Sequence, residues 1–306
     1  MIANPLPWPG GNRCAVALTW DVDADSGLNY RYPDSADMLV ASQSQVRFGP
    51  AIAVPRLIEV LRRLEMRQTF FVPGWVIERY PAAIDLILDN GHELALHGYL
   101  HERSNELSRE QESAVLGRSL EAFRRRTGRE PRGWRAPAFA FSKHSLDLLV
   151  AAGFDYDSSL MGDEIPYLLE GRAGRLVELP TDWTFVDWPN YMHNRDFNYA
   201  MPIAAPQRAM EVFRAAFDAA HEYGALLITV WHPFLSGRLA RLHAIVEFVE
   251  YMRNRGNVWF ACLDEVCDHV QSAMREGAWQ PRVEKIPPYL TPVPDFVHLR
   301  KADRQE

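Results

Sequence analysis

The order of local patterns along the chain constrains the fold most strongly. Short runs of β-branched and aromatic residues, such as residues 15–21, 68–72 and 93–97, alternate with longer stretches of helical periodicity. Further strands are predicted near residues 133–135, 154–158, 176–179, 225–231 and 257–261, and helices near residues 54–64, 81–90, 108–127, 142–152, 206–222, 240–254 and 263–276. Because helical connections separate most of the strands, we expect the strands to run parallel. The chain is therefore predicted to be an α/β protein, closed or nearly closed as a (β/α) barrel.

Length and composition indicate an ordinary globular protein. The 306 residues fit one (β/α) barrel, and apolar residues at 47% with charged residues at 24% are typical of a packed domain. The net charge of −7 gives no reason for binding a phosphate backbone, so we expect no nucleic-acid partner. Without a linker or a repeat, we expect a single domain over residues 1–306, with an insertion at about residues 25–52 and a C-terminal tail from about residue 280.

Cellular context is predicted from the cysteines and the apolar runs. The chain has three cysteines, an odd number that cannot form a disulfide framework and that fits a reducing compartment. Its first residues have neither a basic region nor an apolar stretch of signal-peptide length, and no run is long enough to span a membrane. We therefore expect a cytoplasmic protein without a membrane partner.

Two carboxylates mark the end of the first predicted strand. Asp21 and Asp23 are two residues apart, so their side chains are expected to face the same way. Catalytic residues of (β/α) barrels lie at the carboxyl ends of the strands. Two such carboxylates repel each other unless a cation lies between them. The pair indicates a metal site, and a loop with two solvated acids is the alternative.

Two histidines follow the third predicted strand. If the chain turns helical there, His97 and His101 lie about one turn apart and suit a common metal ion. Gly98 occupies the position of the base in zinc-protease helices, so that motif is excluded. Two imidazoles and the carboxylate of Asp23 leave coordination positions open, either for hydrolysis or for the oxygen chemistry of iron(II). Hydrolysis is favoured because the carboxylate lies on a distant strand of a βα scaffold.

Two later segments supply further candidates. Arg135 follows a short strand and can anchor the free carboxylate, although a surface arginine beside a turn is an equal alternative. His232 ends a buried strand and suits a general acid because histidine titrates near neutrality. Asp182 is expected to orient His232. Trp183 is expected to offer an aromatic face to the substrate. Trp188 is expected to line a pocket, with a position in the core or at a subunit interface as the alternatives.

Taken in chain order, these motifs resemble those of the polysaccharide deacetylase superfamily, also called the NodB-homology or carbohydrate esterase family 4 fold. The resemblance spans roughly residues 15–265 and implies a distorted, incomplete (β/α) barrel of the NodB type. It implies the following roles: Asp21 as general base, Asp23, His97 and His101 as metal ligands, Arg135 as partner of the base, the amide of Ala138 as oxyanion donor, and His232 as acid. The substrate is then expected to contact Ala138, Phe139, Trp183 and Trp188.

Some features depart from the usual family pattern. The opening motif has a residue between its two acids, Ala138 stands where the family has an aromatic residue, and the insertion follows the first strand. These features look like a subgroup that includes peptidoglycan-deacetylase-like proteins, allantoinase-like proteins and cyclic imide hydrolases. That resemblance implies a homo-oligomer, a tetramer or a dimer.

The expected function is hydrolysis of a non-peptide C–N bond. We expect a metal-dependent enzyme, with zinc as the default ion, that uses metal-activated water, an Asp base and a His acid to deacetylate an acetylated amino sugar. The first alternative is a small cyclic amide hydrolase of the allantoinase or cyclic imidase type. The second is a non-catalytic, carbohydrate-binding pseudoenzyme. Because the insertion is expected to lie over the cleft, the site should suit a small amide or a chain end.

Overall fold

A mostly parallel ten-stranded sheet lies at the centre of the part of the chain that the computed structural model describes, residues 2–288. The strand order is β10-β1-β2-β3-β4-β5-β7-β6-β12, with β11 beside the first half of β1, and only β6 and β7 are antiparallel neighbours. The strands are β1 Cys14–Asp21, β2 Thr69–Val72, β3 Glu93–Leu96, β4 Gly133–Trp134, β5 Tyr156–Asp157, β6 Tyr167–Glu170, β7 Arg175–Glu178, β8 His193–Asn194, β9 Tyr199–Ala200, β10 Leu226–Trp231, β11 Val258–Phe260 and β12 Val283–Lys285. Strands β8 and β9 form a separate hairpin.

Helices connect most of the strands and cover the outside of the sheet. They are α1 Ser26–Arg31, α2 Val40–Phe48, α3 Val54–Arg63, α4 Gly74–Arg79, α5 Pro81–Asp89, α6 Arg109–Thr127, α7 Ser145–Ala152, α8 Trp188–Tyr191, α9 Pro206–Tyr223, α10 Pro233–Ser236, α11 Leu239–Arg255 and α12 Leu263–Arg275. Ser108 and Gln111 form the expected capping box of α6. Within residues 2–288, no helix is both long and apolar enough to cross a membrane.

The alternation of side chains along β1 separates two cores. The outer core, between sheet and helices, takes every second residue of the strand: Cys14, Val16, Leu18 and Trp20. The inner core takes Ala15 and Ala17. Because the period of a strand is two, Asp21 continues the inward series at the end of the strand. The apolar pattern of β1 therefore directs this carboxylate into the interior.

The interior is closed at one end and open at the other. Helix α12 packs its buried face, with Leu263, Val266 and Val270, against the inner core. Trp8 and Trp279 extend that packing. Beyond the inner core, the carboxyl ends of the parallel strands surround a cavity. No hydrogen-bonded ladder joins β10 to β12 in the described part of the chain, so the barrel is incomplete, as the sequence predicts.

Most of the predicted elements are confirmed, and several were missed. The eight predicted strands correspond to β1–β5, β7, β10 and β11, and the seven predicted helices correspond to α3, α5, α6, α7, α9, α11 and α12. Strand β6, helix α4 and the two helices of the insertion, α1 and α2, were not predicted. The predicted tail includes β12, which pairs with β6. The rest of that tail, residues 289–306, lies outside the described residues.

Candidate active site

A cavity of about 650 Å³ lies at the carboxyl ends of the parallel strands. Asp21 is the last residue of β1, His97 directly follows β3, and His232 directly follows β10. Since these strand ends meet at one rim, residues far apart in sequence become neighbours. The structure brings Asp23 and His101 to the same wall.

The backbone around the cavity adopts unusual conformations. Four non-glycine residues that line the cavity have positive φ angles: Ala24, His101, Ala138 and Phe139. A non-glycine residue in the left-handed region is strained and persists only where the surrounding structure holds it in place. Such residues cluster at functional sites. Gly98, with φ 71°, allows a close approach, since a Cβ there would lie 2.8 Å from Cγ of Pro137. The segment between the two histidines is therefore an irregular bend with positive φ at Gly98 and His101, and the helical turn considered there is not formed.

An ion pair holds Asp21. Oδ1 of Asp21 lies 2.7 Å from Nη1 of Arg135, and the arginine side chain is fully buried. Thr19 and Ser158 accept further hydrogen bonds from the same guanidinium. Burial alone would raise the pKa of Asp21, but Arg135, with His97 and His232, outweighs burial and lowers it. Asp21 is consequently an ionised hydrogen-bond acceptor at neutral pH.

Asp23 lies between three histidines. Its Oδ1 is 3.6 Å from Nε2 of His97, and its Oδ2 is 3.6 Å from Nε2 of His101 and 3.5 Å from Nε2 of His232. Burial raises the pKa of Asp23 to about 7; His232 opposes this effect and Asp21 adds to it. Burial lowers the pKa of His97 to about 4 and that of His101 to about 3. Both imidazoles are therefore neutral at neutral pH and keep a lone pair for a ligand.

The residues around Asp23 fit a divalent metal ion. Ligand atoms of Asp23, His97 and His101 all lie within 4.8 Å of one another. Oδ1 of Asp23 is buried and has no hydrogen-bond partner among the described residues, which is costly unless something binds there. Nδ1 of His97 lies 2.8 Å from the carbonyl oxygen of Arg135, and a hydrogen donated there leaves Nε2 free toward Asp23. Two imidazoles and one carboxylate are a donor set typical of catalytic zinc sites.

His232 is held by Asp187, and the prediction that Asp182 orients it is wrong. Nδ1 of His232 donates to Oδ1 of Asp187 at 2.6 Å, and the backbone N–H of His232 donates to Oδ2. Burial lowers the pKa of His232, but Asp187, with Asp23 and Asp21, outweighs it and raises the pKa to about 9. Asp182 instead accepts hydrogen bonds from the backbone and the hydroxyl of Thr184. Each aspartate precedes a tryptophan and follows a buried residue, Thr181 or Val186, so no local sequence pattern distinguishes them.

The four residues predicted to contact the substrate line the cavity. Ala138 is one of them, and its N–H makes no hydrogen bond within residues 2–288. The rings of Phe139 and Trp183 meet edge to face with centroids 4.9 Å apart, and Trp183 is 45% exposed. Trp188 packs against the ring of His232 at 5.2 Å.

Among the lining residues that were not predicted, four come from the insertion and from the hairpin region. Tyr30 and Arg31 come from α1 in the insertion, and Phe197 and Tyr199 come from the segment of the β8–β9 hairpin. The position of the insertion directly after the strand that bears Asp21 was the available signal for the first pair. The second pair had no sequence signal, because residues 193–200 follow no strand of the main sheet.

Comparison with known proteins establishes the family. The family model for polysaccharide deacetylases matches residues 48–156, which include His97, His101 and Arg135. The crystal structure of a Mycobacterium smegmatis protein assigned as a polysaccharide deacetylase has a TM-score of 0.86 and 38% sequence identity, and the match covers 96% of this chain and 99% of that one. This chain belongs to the polysaccharide deacetylase family. As a family member it is 29% identical over 282 residues to the peptidoglycan deacetylase of Helicobacter pylori, covering 83% of this chain and 94% of that protein.

The fold of this deacetylase-family chain is shared more widely. The crystal structure of PuuE allantoinase has a TM-score of 0.79 at 21% identity, and the match covers 89% of this chain and 95% of that one. At this level of identity the likeness concerns the fold. The NodB-type (β/α) barrel predicted from the sequence is thereby confirmed.

Proposed function

We propose that this chain hydrolyses an amide bond of an N-acetylated amino sugar, with Asp21 as base and His232 as acid. The observation that carries the proposal is that two buried groups near Asp23, Asp21 and His232, have pKa values shifted in opposite directions. Asp21 is held ionised by Arg135, and His232 is held protonated by Asp187. Groups whose environments push their pKa values apart are typical of acid–base catalysis.

Asp23, His97 and His101 would hold the divalent metal ion, which we propose is zinc. When bound, the ion supplies a Lewis acid that polarises the amide carbonyl and makes water a better nucleophile at neutral pH. Around it, Asp21 offers Oδ2, since Arg135 binds Oδ1. Oδ2 of Asp21 accepts a proton from the water that attacks the carbonyl carbon.

Ala138 and His232 serve the oxyanion and the leaving group. The free N–H of Ala138 donates a hydrogen bond to the oxygen that becomes negative when water adds to the carbonyl. His232 keeps its Nδ1–H on Asp187, so its Nε2–H faces the cavity. As the C–N bond breaks, Nε2 of His232 passes its proton to the departing nitrogen, and the products are acetate and a free amine.

The aromatic residues of the wall orient the sugar. Phe139, Trp183 and Trp188 offer flat apolar faces, and the exposed face of Trp183 is accessible to a pyranose ring. A cavity of about 650 Å³ is in the size range that encloses a small ligand. This enclosure also favours the second candidate function, the opening of a small cyclic amide by the same residues.

Other properties predicted from the sequence stay proposals. The three cysteines are buried and free, which supports the proposal of a reducing, cytoplasmic environment. The single domain and the homo-oligomer stay predictions.

A substrate screen with controlled metal content tests the proposed function. We expect release of acetate from N-acetylglucosamine oligomers or muropeptides by the zinc-loaded protein. A chelator should abolish this activity, and added zinc should restore it, because Asp23, His97 and His101 need the ion. Hydrolysis only of allantoin, hydantoins or succinimide would favour the cyclic amide function. Carbohydrate binding without any amide hydrolysis would favour a pseudoenzyme.

The exchange Asp187→Asn should impair the acid. The substituted amide would present no charge to Nδ1 of His232, so the pKa of His232 should fall from its raised value of about 9. At neutral and alkaline pH, His232 then loses the proton that it must donate, and kcat should fall by roughly 100-fold or more. The matched control is Asp182→Asn, five residues earlier, which should leave kcat unchanged because the hydrogen bonds of the Asp182 side chain within residues 2–288 go to Thr184 and not to His232. Equal losses in both variants would contradict the assignment of Asp187.

A further inference from the structure

Hydrogen bonds between side chains join two segments of the chain that are about 150 residues apart in sequence. The insertion contributes Tyr32, Ser42 and Gln45, and the hairpin region contributes Asn194 and Asp196. We call these five residues the clasp. The Tyr32 hydroxyl donates to the Asp196 carbonyl oxygen at 2.9 Å, and the Ser42 hydroxyl donates to Oδ2 of Asp196 at 2.5 Å.

Asn194 lies at the centre of the clasp. Its Nδ2 donates to Oγ of Ser42 at 2.9 Å and to Oε1 of Gln45 at 2.8 Å, and its Oδ1 accepts from the N–H of Asp196 at 2.8 Å. Ser42 is 6% exposed and Asn194 is 8% exposed. Breaking hydrogen bonds between buried groups costs the full desolvation of both partners, so the clasp holds the two segments together.

The clasp lies beside residues that cover the metal-ligand set. A Cβ on Gly27, in α1, would lie 3.7 Å from the ring of Phe197 and 3.7 Å from Nδ1 of His101. Phe197 in turn packs on Trp188 with ring centroids 5.9 Å apart, and Trp188 packs on His232. The insertion and the hairpin region therefore meet above His101 and form one wall that reaches His232.

Around Trp183, no such hydrogen-bonded bridge spans the cavity among the residues that the structure describes. There the wall consists of the exposed Trp183, which rests on Phe139. Arg103 and Glu106, whose charged atoms are 3.0 Å apart, also line the cavity, on the side of Tyr30 of the insertion. Arg103 and Glu106 belong to the same short segment, so their pairing does not cross the cavity. The cavity is therefore lined by an exposed ring at Trp183, whereas the clasped segments cover it at His101.

We propose that the clasp makes the cleft blind at one end and thereby sets the substrate class: the N-acetylated sugar at the end of a glycan, and not a sugar within a long strand. This inference rests on the proposed function. The terminal sugar lies under the wall formed by Gly27 and Phe197, and the remaining sugars extend over Trp183. Length selectivity then depends on side chains that contact neither the metal ligands nor the acid and base.

The test compares the double variant Ser42→Ala, Asn194→Ala with the wild type and with Ser44→Ala, an exposed serine of the same helix that makes no clasp contact. Each protein, loaded with zinc, is given N-acetylglucosamine oligomers of two and six sugars, and mass spectrometry locates the free amine. Hydrogen exchange of residues 26–48 and 193–200 shows whether the clasp opens. Tyr32→Phe, which removes one hydrogen bond, replaces the double variant if that variant fails to fold.

We expect wild type and Ser44→Ala to free the amine of a terminal sugar only. The double variant should show faster exchange in both segments, amines at internal sugars, and a rise of roughly tenfold in kcat/KM for the hexamer relative to the dimer. Tyr32→Phe should shift both readouts in the same direction by less. Internal deacetylation by the wild type, unchanged exchange, or an unchanged hexamer-to-dimer ratio with faster exchange would overturn the inference. No deacetylation of any oligomer by any of the proteins would overturn the proposed function, and this inference with it.

Discussion

Asp21→Asn is expected to lower kcat by roughly 10²–10⁴-fold while the protein still binds one metal ion per chain. The substitution removes the proton acceptor, but it leaves the three residues that surround the metal position, Asp23, His97 and His101, unchanged. The measurement pairs steady-state kinetics with metal analysis of the same sample. Because the two acids are two residues apart, this comparison separates the base from the ligand.

The stability of Asp21→Asn has to be measured beside its activity. Arg135 is fully buried, and removing one partner of a buried ion pair typically costs roughly 3–5 kcal/mol. The amide that replaces the carboxylate would keep an oxygen for Nη1 of Arg135, and Thr19 and Ser158 still accept from the guanidinium, so we expect a smaller loss. The kinetics are therefore recorded well below the melting temperature. Loss of the metal with an intact fold would mean that the roles of Asp21 and Asp23 are reversed.

The parts of the site that lie on regular strands could be predicted from the sequence. The alternation along β1 and the apolar runs of β3 and β10 place Asp21, His97 and His232 at one rim of a parallel sheet. Arg135 was predicted because it follows a short strand, and its ion pair with Asp21 has the expected geometry. The alternation of side chains along a strand and the order of the strands are sufficient to predict the positions of these residues.

The parts that depend on irregular segments could not be predicted. His101 reaches the site through positive φ angles at Gly98 and at His101 itself, and Glu102 fixes that turn by accepting the N–H groups of Tyr99 and Leu100. The spacing of hydrophobic residues does not indicate such a turn. Asp182 was chosen over Asp187 because the loop after β7 has no period either, and only the packing of Val186 beside β10 decides between them.

The contact between the insertion and the hairpin is a further feature that could not be predicted from the sequence. The sequence predicted that the insertion lies over the cleft, and Tyr30 and Arg31 do line the cavity. Its partner, the hairpin of β8 and β9, is joined to it by side-chain hydrogen bonds of Ser42 and Asn194. Pairings of this kind between distant polar residues leave no trace in local sequence patterns, so the contact between the insertion and the hairpin became visible only in the structure.

His101→Ala is expected to remove the metal ion and the activity together. His101 is the most accessible of the three candidate ligands, with a side chain 21% exposed, and its Nε2 faces Asp23 at 3.6 Å. We expect metal affinity to fall by more than the roughly 10–100-fold typical of changes at outer-shell partners, because a direct ligand is lost. Equilibrium dialysis against zinc measures the affinity, and acetate release measures the activity.

Two control variants separate ligand loss from other effects of changing His101. His243→Ala removes a histidine from the surface, where its side chain is 75% exposed, and should change neither zinc affinity nor kcat. His101→Asn tests whether backbone strain matters. His101 has φ 66°, and asparagine tolerates that region better than alanine. If backbone strain caused the loss of zinc in His101→Ala, His101→Asn would bind zinc like the wild type. If His101 is a ligand, both substitutions lose the ion, and excess zinc restores part of the turnover because Asp21, His232 and the Ala138 amide remain in place. Full occupancy and full activity in both variants would exclude His101 as a ligand and leave Asp23 and His97 to recruit a different third group.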